Sequence, residues 1–209
     1  MSNESLTISS GAAGLRALLQ RAVALDPLAL VRFSASKSHV DVFVTTPFGV
    51  LAARRVVGSA SRHGAVVKAA TLVENFQAPA IDATWPHGAL PPTEGFELLD
   101  EIPAQVVHQL AEQGRALARQ FSGPLGPPSS LLDQTIITVT GVGGQAEIPM
   151  RMIFALSSLA LIPLFDADLD VPRHLRVSRC GSWVRIDAPF GSVFRNSGSN
   201  LLGLMPASP

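Results

Sequence analysis

Apolar residues recur throughout the stretch from Thr135 to Ile162, where several predicted elements follow one another. The segment TIITVT is followed by the glycine loop GVGG, by the segment QAEIP and by the run MRMIFALSSLALI. This order predicts a β-hairpin and then a helix over 150–162. Apolar residues occur on almost every side of that helix, which is typical of a helix covered by several elements. We therefore expect helix 150–162 to lie at the centre of a single core.

The first part of the chain shows both helical and strand periodicity. Residues 1–10 are mostly polar and predict a disordered tail. Residues 11–25 carry leucine and valine at three- and four-residue steps, which predicts a helix that ends at Asp26-Pro27. The pattern further predicts strands over 28–35, 39–45 and 50–57 and a helix over 64–76.

Four prolines interrupt the middle of the chain between Gln77 and Gly95. They predict a loop without regular secondary structure, because proline lacks the backbone N–H that helices and strands use. A loop of this length is either functional or a linker, and we expect Trp85 to anchor it on the body of the protein. A short strand at 96–99 and a helix over 103–121 follow.

The last part of the chain predicts a hairpin with a definable register. A two-residue turn at Cys180-Gly181 would pair Ser178 with Trp183 and Arg176 with Arg185. The apolar residues of both strands then share one face: Leu175, Val177, Val184 and Ile186.

One short motif occurs twice. Thr46-Pro47-Phe48-Gly49 and Ala188-Pro189-Phe190-Gly191 each follow a predicted strand and precede another apolar run. Proline in second and glycine in fourth place are typical of a type I turn. The simpler interpretation is one turn used twice, and the other is duplication of a longer unit.

These elements predict an α+β fold in which antiparallel β-hairpins from both chain ends pack against two or three helices. The 209 residues are enough to bury a sizeable core. We expect residues 11–209 to form a single compact domain, and the loop 77–95 is the place where it would divide.

Composition excludes several classes of protein. With 47% hydrophobic and 15% charged residues, the chain is too apolar to be disordered. Its net charge of zero gives no bulk attraction to nucleic acid or anionic membranes. The single cysteine, Cys180, excludes an intramolecular disulfide. The first residues lack the pattern of a signal peptide and no apolar run is long enough to cross a bilayer, so we expect a cytoplasmic protein with no membrane contact.

The residues that usually carry chemistry form no recognisable signature. The five histidines are scattered, and the GVGG loop lacks the lysine and hydroxyl residue of a phosphate-binding loop. We therefore predict no catalytic residue, no cofactor and no metal.

Charge is distributed unevenly along the chain. Six basic residues and one acid lie in 27–73, seven acids and no lysine or arginine in 74–112, and five arginines and one acid from Val171 onward. One interpretation is that the basic and acidic zones neutralise each other in the folded protein. The other is that the basic strands form an anion-binding face.

Four residues of the last hairpin are candidate partner-binding residues: His174, Arg176, Trp183 and Arg185. They face away from the core in the predicted register, and tryptophan and arginine are frequent hot spots of protein interfaces. The structural alternative is that another element covers this face and carboxylates of the acidic middle segment pair with the arginines.

We favour a non-enzymatic binding or regulatory protein that acts through a protein partner or through self-association. The first alternative is a nucleic-acid-binding protein of winged-helix type, because helix 150–162 precedes a hairpin. The second is an enzyme whose site lies at the 77–95 loop.

The stretch WPHGALPPTEGFELLDEIPAQVV, the segments LVRF and PFGV and the ending RVSRCGSWVRIDAPFGSVF carry a resemblance over most of the chain. The sequence resembles uncharacterised proteins of high-GC Gram-positive (actinobacterial) bacteria. The resemblance implies no activity.

Overall fold

The computed structural model describes residues 3–121, 128–164 and 170–198. Ten of the strands in these ranges form one antiparallel sheet. The ends of the expected tail and domain, 1–2 and 199–209, lie outside the described residues. The strands are β1 Asn3–Ser10, β2 Leu30–Ala35, β3 His39–Thr45, β4 Leu51–Ala60, β5 Val66–Lys68, β6 Gln77–Pro79, β7 Glu97–Pro103, β8 Thr135–Gly141, β9 Gly144–Pro149, β10 His174–Cys180, β11 Trp183–Ala188 and β12 Gly191–Asn196. The helices are α1 Ala12–Leu25, α2 Ala69–Asn75, α3 Ala104–Phe121, α4 Ser129–Asp133 and α5 Met150–Ser158.

The sheet has the order β5-β2-β3-β4-β12-β11-β10-β7, with β1 and β6 attached beside β4. Strands β8 and β9 form a separate two-stranded sheet. The antiparallel α+β class predicted from the sequence is therefore confirmed.

The main core lies between one face of the ten-stranded sheet, here called the inner face, and the helices. It includes the alternating residues Val40, Val42 and Val44 of β3 and the leucines on one side of α1. Six of the nine residues of α5 are buried, and Leu156 is fully enclosed. The prediction that this helix is covered on several sides is correct.

The sheet joins the two ends of the chain at a single pair of strands. β12 pairs antiparallel with β4 through Val193 and Ala52, and both residues are buried. The strands β2, β3 and β4 thus form one meander, β10, β11 and β12 form a second, and the two meanders meet edge to edge.

Both copies of the Pro-Phe-Gly motif lie in equivalent turns of the two meanders, between β3 and β4 and between β11 and β12. The turns differ in length. The first closes with the pair Thr45–Leu51, whereas the second closes with Ala188–Gly191. Within these loops of different length the motif itself forms a four-residue turn in both places, since the Gly49 amide donates to the Thr46 carbonyl at 3.2 Å and Ala188 pairs with Gly191. A shared turn and a duplication are therefore both consistent with the motif.

The first residues form a strand, contrary to the expected disordered tail. Leu6 is buried, and β1 pairs with β4 on one side and with β6 on the other. The carboxylate of Glu4 is also buried, where it accepts hydrogen bonds from Ser61 and Arg62. The polar composition of residues 1–10 did not predict this strand, because its hydrogen bonds and its ion pair are formed with residues distant in sequence.

Further boundaries differ from the prediction, and the helix expected over 150–162 ends at Ser158. The segment 64–76 begins as strand β5 and only then becomes α2. The proline-rich loop contains the short strand β6 and a helical turn at Asp82–Thr84. Pro103 is the last residue of β7, opposite His174, and not the first of the helix. Pairing with β10 therefore extends this strand beyond its local apolar pattern.

Candidate functional site

The register of hairpin β10–β11 differs by two residues from the prediction. Cys180 pairs with Trp183, so that Gly181 and Ser182 form the turn. Arg176 consequently lies opposite Asp187 and not opposite Arg185. The side chains nevertheless face as predicted, because a change of two residues in the pairing leaves each side chain on the same face of a strand.

Two of the four candidate residues are held by contacts within the chain. The Arg185 guanidinium lies 4.4 Å from the centre of the Phe96 ring and forms an ion pair of 2.9 Å with Asp187. Trp183 is half-buried against a second hydrophobic cluster on the outer face of the sheet. This cluster consists of Phe43, Leu51, Ala53 and Phe194, with Trp85, Leu90, Phe96 and Trp183 packed against it.

The other two candidate residues are exposed. His174 lies opposite Pro103, and the Nε atom of Arg176 is 4.0 Å from Oε1 of Glu101. Glu101 belongs to the acidic middle segment, as the structural alternative expects. Partner binding by the four residues stays a prediction, and the contacts of Trp183 and Arg185 favour a structural role for those two.

The segment 80–96, here called the strap, crosses the outer face of the sheet. Its Trp85 is half-buried, and the Arg32 guanidinium lies 5.7 Å from the Trp85 ring centre. Arg32 also donates a hydrogen bond of 2.9 Å to the Gly88 carbonyl. Trp85 therefore anchors this segment as predicted, although its side chain is only half-buried.

Asp82 fixes the beginning of the strap. Its carboxylate accepts hydrogen bonds from the Val66 amide at 2.8 Å and from Arg62 at 2.7 Å. The Val66 amide is the largest of the effects that lower the pKa of Asp82, with Arg62 adding to it. The carboxylate thus serves to attach the segment to the sheet.

Two cavities flank the strap. The first, of about 300 Å³, contains two pairs of opposite charges, Asp41 with Arg55 and Asp187 with Arg185. Arg55 contacts both carboxylate oxygens of Asp41, at 2.7 and 2.8 Å. The second cavity, of about 230 Å³, includes His87, Arg151 and Arg195. Burial lowers the pKa of His87, which keeps its ring neutral at pH 7.

Within 3–121, 128–164 and 170–198, no three His, Cys, Asp or Glu side chains are grouped as metal ligands. Cys180 is a half-buried free thiol beside the Glu94 carbonyl. None of the helices in these ranges combines the length and the apolar character needed to cross a bilayer.

An apolar groove, here called the inter-half groove, lies where the two parts of the chain meet. Its volume is about 270 Å³, and α1 forms one wall while residues 160–164 and Phe190 form the other. Leu164 is 63% exposed at its edge. The only charged residues of the lining are Arg21 and Arg54. The sequence alone did not indicate this groove, because its two walls are more than a hundred residues apart in the chain.

The winged-helix arrangement is not formed. α5 precedes hairpin β10–β11 as expected, but its side chains pack into the core, with Met152, Ile153 and Leu156 almost fully buried. A recognition helix must offer exposed polar side chains to the DNA groove, and this helix cannot do so.

Two families match successive parts of the chain. Residues 91–200, more than half of the sequence, match the family described as Domain of unknown function (DUF8185). The chain belongs to the DUF8185 family. Residues 1–93 of this DUF8185 protein match a second family, Domain of unknown function (DUF8010). The families meet within the strap, and no curated protein sequence matches the chain.

Solved structures with a similar fold are bacterial DNA polymerase sliding clamps. The Pseudomonas aeruginosa clamp with ligand has a TM-score of 0.54 at 13% identity, over 93% of the DUF8185 protein and 64% of the clamp chain. The Bacillus subtilis clamp has a TM-score of 0.53 at 14% identity, over 100% and 66%. The Caulobacter crescentus clamp has a TM-score of 0.52 at 12% identity, over 93% and 65%. At this identity the likeness shows the fold, and the DUF8185 protein spans about two thirds of each clamp chain.

Proposed function

We propose that the DUF8185 protein is a non-catalytic scaffold that binds a protein partner at the inter-half groove. The observation that carries the proposal is an apolar groove open to solvent, with a leucine 63% exposed at its edge. When a partner removes apolar surface of this kind from water, the free energy of the complex is lowered. A cytoplasmic location stays a prediction from the sequence.

The charges at the groove indicate the chemistry of the partner. Arg21 is exposed, and Arg54 is half-buried with a hydrogen bond to the Phe190 carbonyl. Burial lowers the pKa of Arg54, although a guanidinium stays charged at neutral pH. A segment with apolar side chains beside a carboxylate would fill the groove and pair with these cations.

The sliding clamps support a binding role for this fold. The C. crescentus clamp is described as holding PEG at a proposed beta-motif tethering region. A DUF8185 protein that uses its fold for binding in the same way would need no catalytic residues.

Fluorescence anisotropy with synthetic peptides tests the proposal. The probe is a labelled peptide that alternates leucine and phenylalanine with aspartate, and the matched peptide carries lysine in place of aspartate. We expect the acidic peptide to bind and Leu164→Asp to weaken binding about tenfold or more, because a carboxylate would replace an apolar contact. Leu98→Asp is the control, since Leu98 is 45% exposed on strand β7 and outside the groove lining. Equal binding of both peptides, or no loss in Leu164→Asp, would contradict the proposal.

The outer face of hairpin β10–β11 is the second candidate surface, favoured by the exposure of His174 and Arg176. Arg176→Glu reverses the charge at a residue with little burial, so it should leave the fold intact. If this variant loses peptide binding and Leu164→Asp keeps it, the partner surface is the outer face. Sedimentation equilibrium of the wild type distinguishes a monomer of 22.0 kDa from a self-associated form of twice that mass.

A further inference from the structure

A cavity of about 350 Å³ lies between β9 and the inner face of the sheet, and we call it the arginine cavity. Val184 lies between two arginines in its lining, because Arg179 pairs with Val184 across β10–β11 and Val184 pairs with Arg195 across β11–β12. Partners across neighbouring strands point to the same face, and strands are about 4.8 Å apart. The two arginine backbones are therefore about 10 Å apart, with their side chains on one face.

Neither arginine has a carboxylate partner within 4.0 Å among the residues that the structure describes. Arg179 donates to two carbonyl oxygens, those of Gly181 at 2.9 Å and of Gln145 at 3.0 Å. A guanidinium has five N–H donors, so Arg179 keeps donors for a further acceptor. The Arg195 side chain is half-buried and makes no hydrogen bond to another side chain or carbonyl in the described ranges.

The surroundings of Arg195 favour an added negative charge. Burial lowers the pKa of Arg195, and the positive charge of Arg151 lowers it further. Asp133 and Glu147 act in the opposite direction, but Asp133 is bound to Arg151 and Glu147 is exposed. Partial burial of a guanidinium without a carboxylate partner disfavours its charge, and an anion in the cavity would supply both an acceptor and the compensating charge.

We propose that the arginine cavity binds a tetrahedral oxyanion, a phosphate group, between the guanidinium groups of Arg179 and Arg195. A carboxylate has two oxygens, which a single arginine can satisfy, whereas a phosphate group has enough oxygens to accept hydrogen bonds from both. Glu147 lies in the lining of the same cavity and opposes this binding by like-charge repulsion. The proposal does not depend on the inter-half groove, whose lining shares no residue with this cavity.

Isothermal titration of the purified chain with inorganic phosphate at constant ionic strength tests the proposal. We expect a dissociation constant in about the millimolar range. Arg195→Gln and Arg179→Gln should each weaken the affinity about tenfold or more, since each removes charge-assisted hydrogen bonds. Glu147→Gln should tighten binding, an effect that misfolding cannot produce. Lys37→Gln is the control for net charge, because Lys37 is exposed in the turn between β2 and β3.

Two further ligands identify what the site accepts. O-Phosphoserine that binds more tightly than inorganic phosphate would indicate a phosphorylated side chain as the source, and the reverse would indicate the free ion. Acetate that binds as tightly as phosphate would overturn the assignment of a tetrahedral anion. The absence of phosphate binding to the wild type, or unchanged binding in Arg195→Gln, would overturn the site itself.

Discussion

The first half of the chain (residues 3–79) and the second half (residues 97–196) contain similar parts in opposite order. The first half has β1-α1-β2-β3-β4 and then β5-α2-β6, whereas the second has β7-α3-β8 and then β9-α5-β10-β11-β12. The pairing is equivalent, because β5 pairs with β2 as β7 pairs with β10, and β6 pairs with β1 as β8 pairs with β9. This correspondence, with the repeated Pro-Phe-Gly motif at matching turns, favours duplication of a longer unit.

Each half contains a unit of five elements, β1-α1-β2-β3-β4 in the first and β9-α5-β10-β11-β12 in the second. The halves differ in whether the first strand of this unit pairs with its last strand. β4 has ten residues, and its last part pairs with β1 through Val57–Ala60. β12 has only six residues and ends at Asn196, so it does not pair with β9. A shorter strand thus leaves β8 and β9 as a separate sheet, and the arginine cavity lies beside the end of β12.

Two arginines connect the halves reciprocally. Arg54 of the first half donates a hydrogen bond to the Phe190 carbonyl of the second, and Arg151 of the second donates to the Phe48 carbonyl of the first. The Phe48 ring also lies 6.0 Å from the ring of Phe154 in α5. The repeated turns therefore join the halves through their backbone carbonyls, and at the first turn the Phe48 ring contributes as well.

The largest expected effect comes from replacing a buried leucine in helix α1 or in helix α5. Leu18 in α1 and Leu156 in α5 are both almost fully buried, and replacement of either by alanine should cost roughly 2–5 kcal/mol of unfolding free energy. Because β4 and β12 belong to one continuous sheet, we expect the two halves to unfold in a single calorimetric transition, and each variant to lower its midpoint temperature. Two transitions, each sensitive to only one of the variants, would show that the halves are independent domains.

The reciprocal arginines should have a smaller effect. Arg54→Met and Arg151→Met keep an apolar stem but leave the Phe190 or the Phe48 carbonyl without its donor, at a cost of about 1–3 kcal/mol each. Urea denaturation measures the cost. Arg21→Met on the exposed side of α1 is the matched control and should change stability by about 0.5 kcal/mol or less. Equal midpoints for all three variants would show that these hydrogen bonds do not join the halves.

The smallest effect concerns pH and the strap. Burial lowers the pKa of His87 in the folded state, so the unfolded chain binds more protons as the pH falls below about 6.5. The contribution of His87 to stability is therefore present above that pH and is lost as the pH falls towards the folded pKa. We expect His87→Gln to reduce the loss of stability between about pH 7 and pH 5.

Tryptophan fluorescence of Trp183→Phe, in which Trp85 is the remaining tryptophan, would report on the strap directly. The ring centre of Trp85 lies 5.7 Å from that of His87, so protonation of the histidine should change the tryptophan emission. The same pH dependence in His87→Gln would exclude His87 as its source.

Local patterns in the sequence were sufficient for most elements and for the fold class. The alternation in β3 and the helical periodicity of α1 indicate the buried side of each element, because this side depends only on strand or helix geometry. The outward direction of Trp183 and Arg185 followed from the same alternation. The apolar character of α5 likewise indicated its central position, since such a helix is unstable unless it is covered.

Contacts between distant segments decided the rest. The polar strand β1 depends on β4 and β6, and the register of β10 depends on pairing with both β7 and β11. The inter-half groove and the arginine cavity join segments that are remote in the chain. Hydrophobic periodicity specifies which face of an element is buried, but it contains no information on which other element covers that face. The tertiary structure alone therefore decided that the inter-half groove and the arginine cavity form.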